Sequence, residues 1–129
     1  NNVLNFDGET APYLQYTHAR CCSVLRKADT VLHGKADWSV LENDDAQALV
    51  KELSLFPEAV ADAAARYEPM AVSRRIIEIA KAYNKYYYEY RILEGAEEEI
   101  RAKLRLTDAV RMVIQKGLYL LGIEAPERM

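Results

Sequence analysis

The chain has 129 residues, half of them hydrophobic and 29% charged, which is enough apolar surface for one core and excludes a disordered, collagen-like or low-complexity protein. Five glycines and four prolines supply too little turn chemistry for the short strands of a sandwich or barrel, so long helices are favoured. The formal net charge of −3 is uneven: residues 31–70 hold 3 Lys and Arg against 8 Asp and Glu, net −5, whereas residues 71–116 hold 10 against 7, net +3. By charge, one half suits a nucleic-acid surface and the other does not.

No window approaches the roughly 20 apolar residues of a membrane span, and the opening Asn1-Asn2-Val3-Leu4 has neither a basic region nor an apolar signal core. The only cysteines, Cys21 and Cys22, are neighbours and cannot close an ordinary disulfide, which points to the cytosol. The expectation is one soluble, cytoplasmic domain over residues 1–129; the absence of an initiator Met points to a fragment of something longer.

The polar, turn-like stretch Asn5-Phe6-Asp7-Gly8-Glu9 leads to Thr10 and Pro12, a cap followed by a proline in the first helical turn. The spacing predicts a first helix from about 11 to about 32, ended by His33-Gly34-Lys35, with Tyr13, Tyr16, Ala19 or Arg20, Ser23 or Val24, Lys27 and Val31 as its stripe. After a loop holding Trp38, Asn43 and Asp44 offer caps for a short helix through 53, with Ala46, Leu49, Val50 and Leu53 at helical spacing. Pro57 stops that element and fits the first turn of the next, 58 to about 67, whose alanines permit close packing.

Pro69 opens a long helix from about 70 to about 90 with the stripe Val72, Ile76, Ile79, Ala80, Tyr83, Tyr87 and Tyr90. Gly95 breaks the pattern, and Ala96-Glu97-Glu98-Glu99 sets acidic residues where a helix dipole favours them. From 100 to 121, Leu104, Leu106, Val110, Val113, Ile114, Leu118 and Leu120 cover a broad arc, which predicts a central helix with either a close neighbour or a late irregularity at Gly117. The remaining residues, 122–129, are too broken for another helix. The sum is an all-α bundle of about five helices, in which the first, fourth and fifth form the core.

Three constellations bear on chemistry. Five of the nine tyrosines fall between Tyr83 and Tyr90, and at 100° per residue they cannot all face one core. They form either a stacking platform for unpaired bases or a helix whose rings cover the core edge with wet hydroxyls. His18 with Cys21 and Cys22 has helical spacing, but there is no second ligand pair for a metal and nothing to orient the imidazole for nucleophilic catalysis. An ordinary helix histidine beside two small thiols is the reading that remains. Arg20 and Arg26, about 120° apart around a helix, do not aim at one spot by helix geometry alone; each suits a phosphate, a base edge or a surface ion pair.

The segment Gly8-Glu9-Thr10-Ala11-Pro12-Tyr13-Leu14-Gln15-Tyr16-Thr17-His18-Ala19-Arg20 resembles the G-x-T-x-P-Y-x-Q-Y-x-x-A-R motif of arginyl-tRNA synthetases. The tail from Gly117 to Met129 resembles that family's ending, and Phe56-Pro57-Glu58-Ala59-Val60, Tyr67-Glu68-Pro69 and Tyr83-Asn84-Lys85-Tyr86-Tyr87 resemble its middle in order and spacing. The resemblance implies the helical C-terminal anticodon-binding domain, called DALR, of a class I synthetase. ATP and Mg would then belong to an upstream catalytic domain, with no cofactor here. It also implies an arginine tRNA anticodon stem-loop and the catalytic domain of the same parent chain as partners.

By the same resemblance, Tyr87 takes the place of a family tyrosine that packs on anticodon nucleotides, Arg26 that of a helix arginine near the anticodon, and Met129 that of a residue near the middle base. Gln15, Tyr16 and Arg20 take the places of the first-helix motif that shapes the loop site, and Asn84 joins the tRNA-binding set from the tyrosine run. Departures are Tyr83 and Tyr86 where the family has phenylalanine, Tyr90 and Arg91 where it has cysteine and proline, and Cys21 and Cys22 where bulkier or charged residues are usual. The fragment is expected to be monomeric and to perform no chemistry alone. The competing expectation is a non-catalytic helical module that docks a protein through its tyrosine face.

Overall fold

The computed structural model describes residues 10–28 and 33–129. It contains five α-helices, α1 (Thr10–Lys27), α2 (Asp44–Ser54), α3 (Phe56–Arg66), α4 (Met70–Glu89) and α5 (Glu97–Leu120), and one short 3-10 helix, Trp38–Leu41, in place of the expected loop. No strand occurs among the described residues, so the all-α bundle of five helices expected from sequence is what forms. The polar stretch 5–9, and Val31 with the expected end of the first helix near 32, lie outside the described residues.

Local chemistry accounts for the boundaries. The Asn43 side chain accepts a hydrogen bond from the Ala46 N–H at 2.8 Å and so caps α2. Leu55 ends α2 and begins α3, with Pro57 in the first turn of the new helix. Helix α3 stops at Tyr67, which is left-handed at φ 53°, and Pro69 leads into α4. At α5, Glu97, Glu98 and Glu99 occupy the positive end of the dipole, and Glu99 accepts from the Ala96 N–H at 2.8 Å.

Helix α5 packs on α1, α2, α4 and the 3-10 helix and is the centre of the bundle. Leu104, Val110, Ile114 and Leu118 from it, Ile76, Ile79, Tyr83 and Tyr86 from α4, and Leu14 and Cys21 from α1 are fully buried. Each large aliphatic side chain contributes about 1.5–3 kcal/mol by leaving water. The broad apolar arc read on α5 is borne out except at Leu120, which is exposed. The close neighbour expected at Gly117 is Ile76: a Cβ there would lie 2.5 Å from the Ile76 Cγ2.

Two stripes differ from expectation. On α1 the buried face is Leu14, Thr17, His18, Ala19, Cys21, Cys22 and Val24, so the expected Ala19 and Val24 are inside while Tyr13, Tyr16 and Lys27 stay outside, because the slender face packs against α5 and α4. On α4 it is Tyr83 and Tyr86 that are fully enclosed, while Tyr87 and Tyr90 are half-buried. The Tyr83 hydroxyl lies 3.4 Å from Thr107 Oγ1, whereas the Tyr86 hydroxyl has no hydrogen-bond partner among the described residues. Burial pushes the Tyr86 phenol up to about 12.

The acidic stretch of the chain is partly neutralised within the fold. Helix α2 lies against α4, where Glu52 pairs with Arg75 and Asp45 with Lys85 at 2.9 Å. No helix among the described residues is long and apolar enough to cross a membrane.

Candidate nucleic-acid interface

Arg20, on the middle of α1, is held from several sides. Its guanidinium lies over the Tyr87 ring, 4.4 Å from the centroid, and 5.0 Å from that of Tyr88. One nitrogen donates to Asn84 Oδ1 at 2.8 Å and another to the Tyr88 hydroxyl at 3.0 Å. Because an arginine only donates, this contact fixes the Asn84 amide, whose Nδ2 donates to the Tyr13 hydroxyl at 3.1 Å and Thr17 Oγ1 at 3.0 Å. Helical spacing on both elements makes the network possible: Tyr13, Thr17 and Arg20 share one face of α1, and Asn84, Tyr87 and Tyr88 share one edge of α4. Tyr87 and Tyr88 meet edge to face at 5.4 Å.

The segment after α5 turns back along α1. Gln15 Nε2 donates to the Glu124 carbonyl at 2.8 Å, His18 Nδ1 lies 2.9 Å from the Pro126 carbonyl, and an Arg26 guanidinium nitrogen donates to the Glu127 carbonyl at 3.2 Å. The result is a groove of about 410 Å³ lined by Tyr16, Ala19, Arg20, Ser23, Arg26, Arg128 and Met129. Three cations and one exposed aromatic ring thus border a cleft of a size that admits a small planar ligand. A second groove of about 390 Å³ is lined among others by Val24, Lys27, Tyr87, Tyr88, Tyr90 and Arg91.

Of the residues expected from sequence, Tyr16, Arg20, Arg26 and Met129 come together in the first groove. Arg20 and Arg26 do border one groove despite their azimuths, because the tail fills the angle between them. Asn84 lies behind Arg20, and Tyr87 faces the second groove with one ring face covered by the guanidinium. Gln15 is outside the groove and holds the tail. Sequence reasoning missed Arg128 and Tyr88 as individual contributors, and it missed the link between His18 and the tail. No local signal marks partners that are more than 100 residues apart.

Both thiols are free and buried. Burial pushes Cys21 up to about 12, with the neighbouring Tyr83 hydroxyl acting in the opposite direction, and burial also raises Cys22. Among the described residues, no group of three or more His, Cys, Asp or Glu side chains converges as metal ligands would.

A family model described as the DALR anticodon binding domain matches residues 14–129. The chain belongs to this family. It is 43% identical over 129 residues to an arginine–tRNA ligase of Halothermothrix orenii, covering all of this chain and 23% of that protein. It is 44% identical over 128 residues to arginine–tRNA ligase 2 of Bacillus anthracis, covering 99% of this chain and 22% of that one. The arginyl-tRNA synthetase of Thermus thermophilus superimposes with a TM-score of 0.83 at 34% identity, over 98% of this chain and 22% of the other. This DALR domain therefore spans less than a quarter of the length of these relatives.

Proposed function

We propose that this DALR domain recognises the anticodon stem-loop of an arginine tRNA, and that arginine is joined to that tRNA, with ATP and Mg, by a catalytic domain of the same parent chain in the cytoplasm. On this reading the domain itself performs no chemistry, takes no cofactor and acts as a monomer. The observation that carries it is the convergence of Arg20, Arg26 and Arg128 with exposed Tyr16 and Met129 around one groove. Guanidinium groups attract phosphates and reach base edges, while an exposed ring and a thioether provide apolar faces for an unpaired base. The family membership and the names of the relatives support the same RNA.

Within the groove, Arg20 has two jobs. Its hydrogen bonds to Asn84 and Tyr88 hold the guanidinium plane, and the plane so held presents donors toward the groove without further ordering. Arg26 and Met129 stand nearer the tail, where a base pushed into the groove meets them. Tyr87 acts through Arg20 and from the neighbouring groove, where Lys27 and Arg91 supply charge for the adjoining backbone.

The test is a titration of the chain with an arginine tRNA anticodon stem-loop and with the same loop changed at its middle base. The cognate loop binds more tightly, and affinity for both falls steeply as salt rises, since each phosphate contact to a single strand adds a slope of about −0.7 in log affinity against log salt. Equal affinity for the two loops overturns base reading by this domain. Failure to bind either loop even at low salt overturns RNA recognition by this domain and favours protein docking through the tyrosine face.

A further inference from the structure

The three bonds between α1 and the tail are not equivalent. Those from Gln15 and Arg26 lie at the surface, whereas His18 is 1% exposed. The Pro126 carbonyl only accepts, so the proton of the bond at 2.9 Å belongs to His18 Nδ1. The Cys22 sulfur lies beside the ring, 3.8 Å from Nδ1 and 3.9 Å from Nε2, and is a weak partner for either nitrogen. Thus, among the described residues, a buried imidazole on the core face of α1 has the tail as its one strong partner. Two and three residues beyond that bond, Arg128 and Met129 form the wall of the groove that faces Arg20 and Arg26.

Resting on the proposed anticodon-reading function, we propose that His18 is a positioning residue for base discrimination: its Nδ1–H fixes the Pro126 carbonyl and thereby sets Met129 and Arg128 against the groove. His18 touches no RNA. The surface bonds from Gln15 and Arg26 keep the tail near α1 when the imidazole is absent, so losing it misplaces the wall without releasing the tail. Affinity that comes from phosphates then survives, and affinity that depends on the shape of the groove does not.

Two measurements on RNA-free protein come first. Nitrogen-15 spectra of the wild type should show a proton on His18 Nδ1, and an Nδ1 that carries none overturns the proposal. The carbon-13 methyl signal of Met129 should move in His18→Phe, which keeps the ring volume and lacks the donor; an unmoved signal also overturns it. In the stem-loop titration, His18→Phe should lose roughly tenfold in preference for the cognate middle base, the scale of one good base contact, while affinity for the changed loop stays constant.

His18→Asn, whose Nδ2–H sits where the Nδ1–H was, should restore the preference. In a Met129→Ala background, His18→Phe should add no further loss. An equal loss on both loops, failure of His18→Asn to restore the preference, or a loss independent of Met129 shows a merely structural histidine and overturns the proposal. Circular dichroism checks the fold of each variant, and His18→Leu, which also lacks a donor, replaces His18→Phe if the latter does not fold. A wild type that cannot tell the loops apart refutes the anticodon reading instead, and the Met129 signal still decides whether His18 sets the tail.

Discussion

The Arg20 guanidinium lies over one face of Tyr87 at 4.4 Å and bonds Asn84 at 2.8 Å, so the tyrosine ring and the asparagine together hold the arginine in place. A cation on an aromatic face contributes about 0.5–1 kcal/mol at an exposed site. Tyr87 is only half-buried, unlike Tyr83 and Tyr86, and truncating it leaves the centre of the core intact. Tyr87→Ala should therefore cost about 1–3 kcal/mol of stem-loop binding while the domain still folds. Thermal denaturation alongside the titration checks this, and a collapse of the fold at unchanged affinity per folded molecule would identify Tyr87 as a core residue instead.

At the scale of elements, the crossing of α4 and α5 depends on a residue without a side chain. Gly117 costs α5 about 1 kcal/mol in intrinsic propensity relative to alanine. An added Cβ, however, would meet the Ile76 Cγ2 at 2.5 Å, and Ile76 is fully buried and cannot swing aside. The steric term wins, since overpacking of this kind costs typically about 1–3 kcal/mol. Gly117→Ala should lower the urea midpoint of unfolding, and Gly117→Ala with Ile76→Ala should unfold at higher urea than the two separate losses added together imply. Simple additivity would show that the two helices do not meet there.

For the whole molecule, buried acids make the fold sensitive to alkali. Cys21 and Tyr86 are each pushed up to about 12 by burial, and Tyr83 is raised well above its ordinary value for the same reason. A folded-state pKa above the unfolded one means that the folded form binds the proton more tightly. The stability this confers is complete below the unfolded values, 9.0 for the thiol and 10.0 for the phenols, and is lost as pH climbs from there toward 12. Denaturation followed by near-ultraviolet circular dichroism should show the fold weakening across pH 9–12, with Cys21→Ser and Tyr86→Phe each delaying the loss. A flat profile over that window would mean that these groups are hydrated in the folded state.

The number of helices and nearly all their boundaries were legible in the sequence because the causes are local. Asn43 bonds its own helix three residues on, prolines 57 and 69 lack the donor a helix interior needs, and consecutive glutamates favour only a helix start. Of the residues lining the candidate groove, Tyr16, Arg20 and Met129 were singled out in the sequence through resemblance to a family motif and to its ending, whereas Gln15 of the same motif lies outside it. Which tyrosine of a crowded run enters the core was not legible: Tyr86 and Tyr87 differ by 100° of helix rotation, and the position of α5 chose between them. The tertiary structure alone decided that Arg20 meets Asn84 across 64 residues and that His18 meets Pro126 across 108. Periodicity and capping report only on neighbours within a helical turn or two, whereas these contacts exist because packing of the apolar faces brings distant polar groups within hydrogen-bond reach.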